Sequence, residues 1–222
     1  YLNWVIPKLS NIPFAALTMD SFYYRVWLLL VYAVLLAGVL LKGEKRIGIP
    51  AAVCAAALCA AIALTVSVFR SVAMAVEVLD VGQGESVLLR CGEELILVDC
   101  GGDSQTNAGD IAADYIQNMG GQRLSLLVIT HFHDDHANGV PQLLERVPVD
   151  AVALPVVTED SALRREIIAT AQKKQIPIQE IDQDRTITLE QGGVLRLFAP
   201  LGAGETNEEG LSVLATSGDF DV

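Results

Sequence analysis

Three histidines fall within six positions of this chain, and it has no others. His131, His133 and His136 lie in the run Leu127-Val128-Ile129-Thr130-His131-Phe132-His133-Asp134-Asp135-His136-Ala137-Asn138-Gly139. Neutral imidazole and carboxylate are donors suited to Zn²⁺ and to metals of similar hardness. His131 and His133 alternate about Phe132, so in an extended backbone their rings point to the same side. Asp135 and His136 follow where the chain must turn. That spacing can aim two donors at one ion and two at an adjacent one, so His131, His133, Asp135 and His136 are the candidate metal ligands. Asp135 is also the candidate catalytic residue, expected to help hold a nucleophilic water. Two plainer readings remain open at this level. One is an exposed polar turn, and the other is a single structural metal, which ordinarily closes with four ligands, often Cys.

The elements around this run must place it. Ser125 to Thr130 reads as a buried strand leading into the histidines, and Gly139 to Glu145 as a helix leading out. Upstream, Ala75 to Leu79, Ser86 to Arg90 and Glu94 to Asp99 are short Val-, Leu- and Ile-rich strands bounded by Gly-rich turns. A helix is predicted around Ala108 to Met119, stopped by Gly120-Gly121. Downstream come a strand at Ala151 to Leu154 and a helix at Asp160 to Lys174. Asp160 or Ser161 is the N-cap of that helix, and Lys173-Lys174 lie near its end. Strands follow at Ile176 to Ile181, Arg185 to Leu189 and Val194 to Phe198. This is a sheet-rich layout with interspersed helices, an α+β class.

Composition changes sharply ahead of residue 75. Of 222 residues 52% are hydrophobic, and most of that excess precedes Met74. Residues 1–21 read as an interfacial segment carrying Trp4, Pro7 and Pro13. Residues 22–70 hold two apolar runs separated by Lys42-Gly43-Glu44-Lys45-Arg46. Phe22 to Leu41 is about the length that crosses a bilayer, and Ile47 to Phe69 contains no charge. Two transmembrane helices are expected, and the basic loop favours placing that loop in the cytoplasm and the rest outside. Residues 75–222 form the remaining domain.

Charge and cysteines narrow the function classes. Glu77 to Val222 carries 25 acidic and 9 basic residues, whereas residues 1 to 76 carry 2 and 6. A domain this acidic is a poor electrostatic partner for nucleic acid, although a bound divalent ion reverses the sign locally. Cys91 and Cys100 fall at opposite ends of an expected hairpin and should not pair. Cys54 and Cys59 lie in an apolar helix, and no zinc-ribbon spacing is present.

The histidine run matches the H-x-H-x-D-H signature of the metallo-β-lactamase superfamily, preceded by Thr130 and followed by Gly139. Within it, residues 75 to 222 resemble the ComEC-type DNA-internalisation proteins of bacterial competence. The resemblance rests on Leu79-Asp80-Val81-Gly82-Gln83-Gly84-Glu85-Ser86, on Val98-Asp99-Cys100-Gly101-Gly102, on Arg196-Leu197-Phe198-Ala199-Pro200, and on Asn207 with Leu211-Ser212-Val213-Leu214. It implies a metallo-β-lactamase-like αββα sandwich behind two membrane helices. Asp134 is the variable position of the motif. Asp80 and Asp99 are possible second-layer groups that orient the ligand histidines, with turn capping as the alternative. Gly82 and Gly84 read as turn formers rather than a phosphate cradle.

The resemblance also implies an incomplete site. The superfamily adds a further His, a bridging Asp and a last His downstream, yet no His follows His136. Ser217-Gly218-Asp219 reads as a hairpin turn with Phe220-Asp221-Val222 beginning the return strand. On that reading the chain is a fragment, cut off at its C-terminus and inactive alone. The function implied is a membrane-anchored metal-dependent hydrolase, a phosphodiesterase or nuclease of the DNA-uptake channel in natural transformation. It would carry two divalent ions, Zn²⁺ or else Mn²⁺, and take single- or double-stranded DNA as substrate. Its other partners would be the membrane and other DNA-uptake proteins, with the hydrolase domain on the outer side of the cytoplasmic membrane. The alternative is a non-catalytic scaffold or gate of that channel.

Overall fold

The computed structural model describes residues 22–40, 48–71, 74–103, 107–158, 161–200 and 209–222. The segment 1–21, the Lys42–Arg46 loop, Asp160 and Asn207 lie outside the described residues. The chain divides into two compact units. One comprises the residues up to Phe69 with Asn118–Gly120, and the other comprises Arg70–Gln117 with Gly121–Val222.

The first unit contains helices α1 (Phe22–Leu40) and α2 (Gly48–Ser71). They are joined laterally by Trp27, whose Nε1 donates to the Cys54 carbonyl at 2.9 Å. Phe22, Leu29, Tyr32, Leu35 and Leu36 on α1 and Ile49 on α2 are exposed. Among the described residues no helix is long and apolar enough to cross a membrane.

The second unit is layered. A six-stranded sheet has the order β1-β2-β3-β4-β5-β6, formed by Ala75–Val78, Val87–Cys91, Glu94–Val98, Leu126–Val128, Val152–Pro155 and Ile178–Ile181. The first three strands make an antiparallel meander, and β3 to β6 run parallel. Parallel neighbours need crossovers. These are supplied by α3 (Ala108–Asn118), by α4 (Asp134–Ala137) with α5 (Val140–Arg146), and by α6 (Ala162–Lys173). A four-stranded antiparallel sheet comprises β7 (Arg185–Thr188), β8 (Val194–Phe198), β9 (Ser212–Ser217) and β10 (Phe220–Asp221), in the order β10-β9-β8-β7.

Alternation along the strands assigns the faces. Leu89, Ile96, Val98, Leu126, Val128 and Ala153 of the first sheet share one core with Leu195, Leu197 and Ala215 of the second. The intervening residues Leu88, Leu97, Leu127 and Val152 are fully buried on the opposite face. That face takes the apolar stripes of the crossover helices, such as Ile116, Leu143 and Ile167. The result is a helix–sheet–sheet stack. The fourth, outer helical layer of the expected sandwich is not found among the described residues.

Local signals account for the boundaries. Ser161 caps α6 by accepting the Arg164 amide at 3.1 Å, so the helix starts just after the predicted cap. Gly120 adopts φ +90° beyond α3, where an L side chain would be strained. Ser217 pairs with Phe220 across a turn at Gly218, and Thr216 pairs with Asp221, which is the expected hairpin. All four cysteines are free.

Leu127 lies in a central strand with no exposed surface, whereas Val78 on the edge strand is 78% exposed. Leu127→Ala is expected to destabilise the second unit by about 2–5 kcal/mol. Val78→Ala should stay within about 0.5 kcal/mol. Urea unfolding followed by circular dichroism reads both.

Candidate metal centre

Parallel strands leave their C-terminal ends in one row, and the connecting loops there are where α/β sheets place ligands. Asp99 follows β3 and Thr130 to His136 follow its neighbour β4. The Asp99 amide donates to the Val128 carbonyl at 2.8 Å, so the two loops leave the sheet side by side.

Asp99 is fully buried and adopts φ +58°, the left-handed region. Such a conformation is costly for a residue with a Cβ. It aims the carboxylate across to the next loop. Oδ1 accepts the Thr130 amide at 2.7 Å, and Oδ2 accepts the Thr130 hydroxyl at 2.5 Å. Nδ1 of His136 lies 2.8 Å from the same Oδ2. A carboxylate can only accept, so His136 donates through Nδ1–H and keeps Nε2 free as a donor atom for a metal. Thr130 Oγ1 also lies 3.0 Å from His131 Nδ1. Because that hydroxyl proton is committed to Asp99, His131 too donates from Nδ1 and leaves Nε2 available.

The histidine run turns immediately after His133. The Ala137 amide donates to the His133 carbonyl and the Asn138 amide to the Asp134 carbonyl. This single helical turn, α4, brings His136 back beside His131, with ring centroids 3.8 Å apart. Donor atoms of His131, Asp135 and His136 all lie within 4.8 Å of one another, and so do those of Glu85, Asp99 and His136. His133 stands edge-on to His131 at 4.9 Å, on the same side as expected, but belongs to neither tight group. Asp134 and Asp80 are exposed. Among the described residues Asp80 makes no hydrogen bond to the histidines, so the orienting role considered for both Asp80 and Asp99 falls to Asp99 alone.

Three further contributors were not singled out from the sequence. Glu85 projects from the Gly-rich turn with Oε2 3.8 Å from His136 Nδ1. Its amide donates to the Asp135 carbonyl at 2.8 Å, and its own carbonyl accepts from Gly101 at 3.0 Å. Asn138 clamps Gly102, accepting its amide at 3.0 Å and donating to its carbonyl at 2.7 Å. Thr130 is the hub already described. Glycine is required where these loops touch. A Cβ on Gly101 would fall 2.2 Å from the His136 amide nitrogen, and one on Gly84 would fall 2.4 Å from the Gly101 carbonyl oxygen.

The electrostatics suit a cation. The hydrogen bond that His136 donates to Asp99 raises the His136 pKa above the usual value against the opposing effect of burial. Burial, then the neighbouring His136, lowers that of His131. Burial pushes the Cys100 thiol up to about 12. Two imidazoles with oriented nitrogens and an exposed carboxylate form a donor set fit for a divalent metal such as Zn²⁺ or Mn²⁺.

Residues 79–213 match the profile of the metallo-beta-lactamase superfamily, and the chain belongs to that superfamily. It is 38% identical over 72 residues to a ribonuclease Z of Nocardia farcinica, covering 31% of this chain and 21% of that protein. The chain thus aligns with about a fifth of that relative. Among solved structures, CmlA, a diiron β-hydroxylase from Streptomyces venezuelae, superposes with a TM-score of 0.43 at 20% identity, over 66% of this chain and 28% of that one. The metallo-beta-lactamase fold protein YhfI from Bacillus subtilis gives 0.43 at 14% identity, over 66% and 60%.

Metal binding requires His136 to be neutral, so affinity is expected to fall as pH drops through its raised pKa. Asp99→Asn removes the charge that stabilises the imidazolium. It should shift that fall to lower pH and weaken affinity at neutral pH by about 10- to 100-fold. Zn²⁺ competition against a chromophoric chelator across pH 5 to 8 measures both effects. Gly101→Ala is expected to abolish binding by displacing the Asp135–His136 peptide.

Proposed function

We propose that this protein is a metal-dependent phosphodiesterase acting on DNA, attached to a membrane and working in DNA uptake. The observation that carries the hydrolytic part is the grouping of His131, Asp135 and His136, with the imidazoles oriented from behind by Asp99 and Thr130. A divalent metal held there would act as a Lewis acid and lower the pKa of bound water. The chain's own part is to fix two imidazole tautomers and to set an exposed Asp135 carboxylate beside them. Asp135 is the proposed catalytic group and His133 a proposed further ligand. A relative named as a ribonuclease favours a phosphodiester over a lactam.

The DNA-uptake role rests on the resemblance to ComEC-type proteins carried by residues 79–86, 98–102 and 211–214. The membrane attachment rests on the two helices, whose backbones run 19 and 24 residues and expose large apolar side chains. The cytoplasmic membrane is the proposed location, with the hydrolase unit outside. Labelling of a Glu44→Cys variant from outside intact cells is expected to fail and that of Glu159→Cys to succeed. The opposite pattern inverts the orientation.

One observation favours a second reading, a non-catalytic scaffold or gate. The segment from Glu77 onward carries 25 acidic against 9 basic residues, whereas nucleases ordinarily offer DNA a basic track. A paired substitution separates the two. In the intact protein Asp135→Ala should reduce hydrolysis by more than about 100-fold, beyond what losing an outer-layer partner costs. Asp134→Ala, exposed and one residue away, should leave hydrolysis within about twofold. Equal DNA uptake and strand degradation in both variants would establish the scaffold.

A further inference from the structure

Among the described residues the buried polar or charged side chains are Ser86, Asp99 and Glu209. Asp99 serves the metal centre, whereas nothing so far uses Glu209. A carboxylate taken out of water costs several kcal/mol unless it is well hydrogen-bonded. Its hydrogen bonds reach 51 residues back in the chain. The Thr158 amide donates to Oε2 at 2.9 Å and the Thr158 hydroxyl donates to Oε1. Thr158 lies in the loop after β5, at the same end of the parallel strands as Asp99 and Thr130. Two residues beyond Glu209, the Leu211 amide donates to the Thr130 carbonyl at 2.8 Å. The backbone of Thr130 is therefore held at its amide by Asp99 and at its carbonyl by Leu211. Gly210, Leu211 and Ser212 line a cavity of about 500 Å³ together with Glu85, Thr130 and His131.

We propose that Glu209 is a positioning residue for this cavity: it pins the 210–212 wall to the loop after β5 and so fixes the space beside His131 where a substrate is oriented. The assignment rests on the hydrolase reading for its consequence, but the pinning itself is a property of the fold. The pinning runs through Thr158 and through the backbone hydrogen bond from Leu211 to Thr130, so its loss should act on substrate fit and leave the metal donors as they are. Ser212 and Glu85 line the same cavity.

The test uses hydrogen exchange, cobalt titration and steady-state kinetics on the intact protein, with Glu209→Ala, Glu209→Gln and Thr158→Val. Exchange at the Leu211 and Thr158 amides should speed up at least about tenfold in Glu209→Ala, while the sheet amides of Leu97 and Leu127 keep their protection. Glu209→Gln keeps one acceptor oxygen and should recover part of that protection. Co²⁺ affinity should change by less than about threefold, and KM for bis-p-nitrophenyl phosphate should rise about fivefold or more with kcat nearly constant. Unchanged exchange at Leu211, or protection lost throughout the sheet, overturns the proposal. So does a fall in Co²⁺ affinity that parallels the loss of activity. Should Glu209→Ala not fold, Glu209→Gln and Thr158→Val carry the same comparison. If the unsubstituted protein binds Co²⁺ yet cleaves no diester, the hydrolase reading fails, while exchange at Leu211 still decides whether Glu209 pins the wall.

Discussion

The buried carboxylate of Asp99 is the constraint on which the site depends. From the loop after β3 it ties three groups of the adjacent loop after β4 to one point, and through Thr130 it reaches a fourth, the ring of His131. Charge-assisted hydrogen bonds of this kind are about twice as strong as neutral ones. In a buried setting, leaving any of them unmade is costly. The left-handed backbone at Asp99 shows what is exchanged for that arrangement. Strain at a single residue is tolerated because three hydrogen-bonding groups over-determine the position of its carboxylate.

Contact between backbones is the second condition. For Asp99 and the histidine run to share one point, the Gly-rich turn at 82–85, the 99–102 turn and the 131–136 turn must stack without side chains between them. Gly84 against Gly101, and Gly101 against the Asp135–His136 peptide, are the two approaches that admit only hydrogen at Cα. The Glu85 and Cys100 amides close these seams by donating to the carbonyls of Asp135 and His136. Turns that sequence reasoning treats as separate motifs are thus one mechanical unit. That is why Glu85, which carries no signal of its own beyond following two glycines, ends beside His136.

Much of this fold was legible before the structure. Strands β1 to β8 and helices α3, α5 and α6 match the expected segments to within a few residues, because alternation and the Ser161 and Gly120 boundary residues act locally. The grouping of His131, Asp135 and His136 was also legible, since a period-two pair followed by a turn is a local property. What was not legible depends on residues far apart in sequence. Thr130 became a hub only because β3 and β4 are parallel neighbours. Glu209 found Thr158 across 51 residues, and its identity as one acid among many gave no hint of burial. The separation of Asp99 from Asp80 has the same origin. Both follow apolar strands, yet only Asp99 precedes a parallel neighbour that brings a donor-rich loop alongside.

Charge links these geometric facts to chemistry. Asp99, Asp135 and Glu85 surround His136, and all three are acceptors when ionised. Two like unit charges about 4 Å apart repel by about 4 kcal/mol at an effective dielectric of 20. An acidic domain with no basic side chain in either donor group gains nothing by gathering carboxylates there for stability alone. The raised pKa of His136 is one partial relief, since an imidazolium offsets one carboxylate. That relief is opposed by the lowered pKa of His131, 3.8 Å away between ring centroids. Charge on one ring opposes charge on the other, so protonation neutralises the group poorly. A divalent cation neutralises it without charging either imidazole, and so satisfies both constraints at once. The same neutralisation lets an anion approach a surface that otherwise repels it.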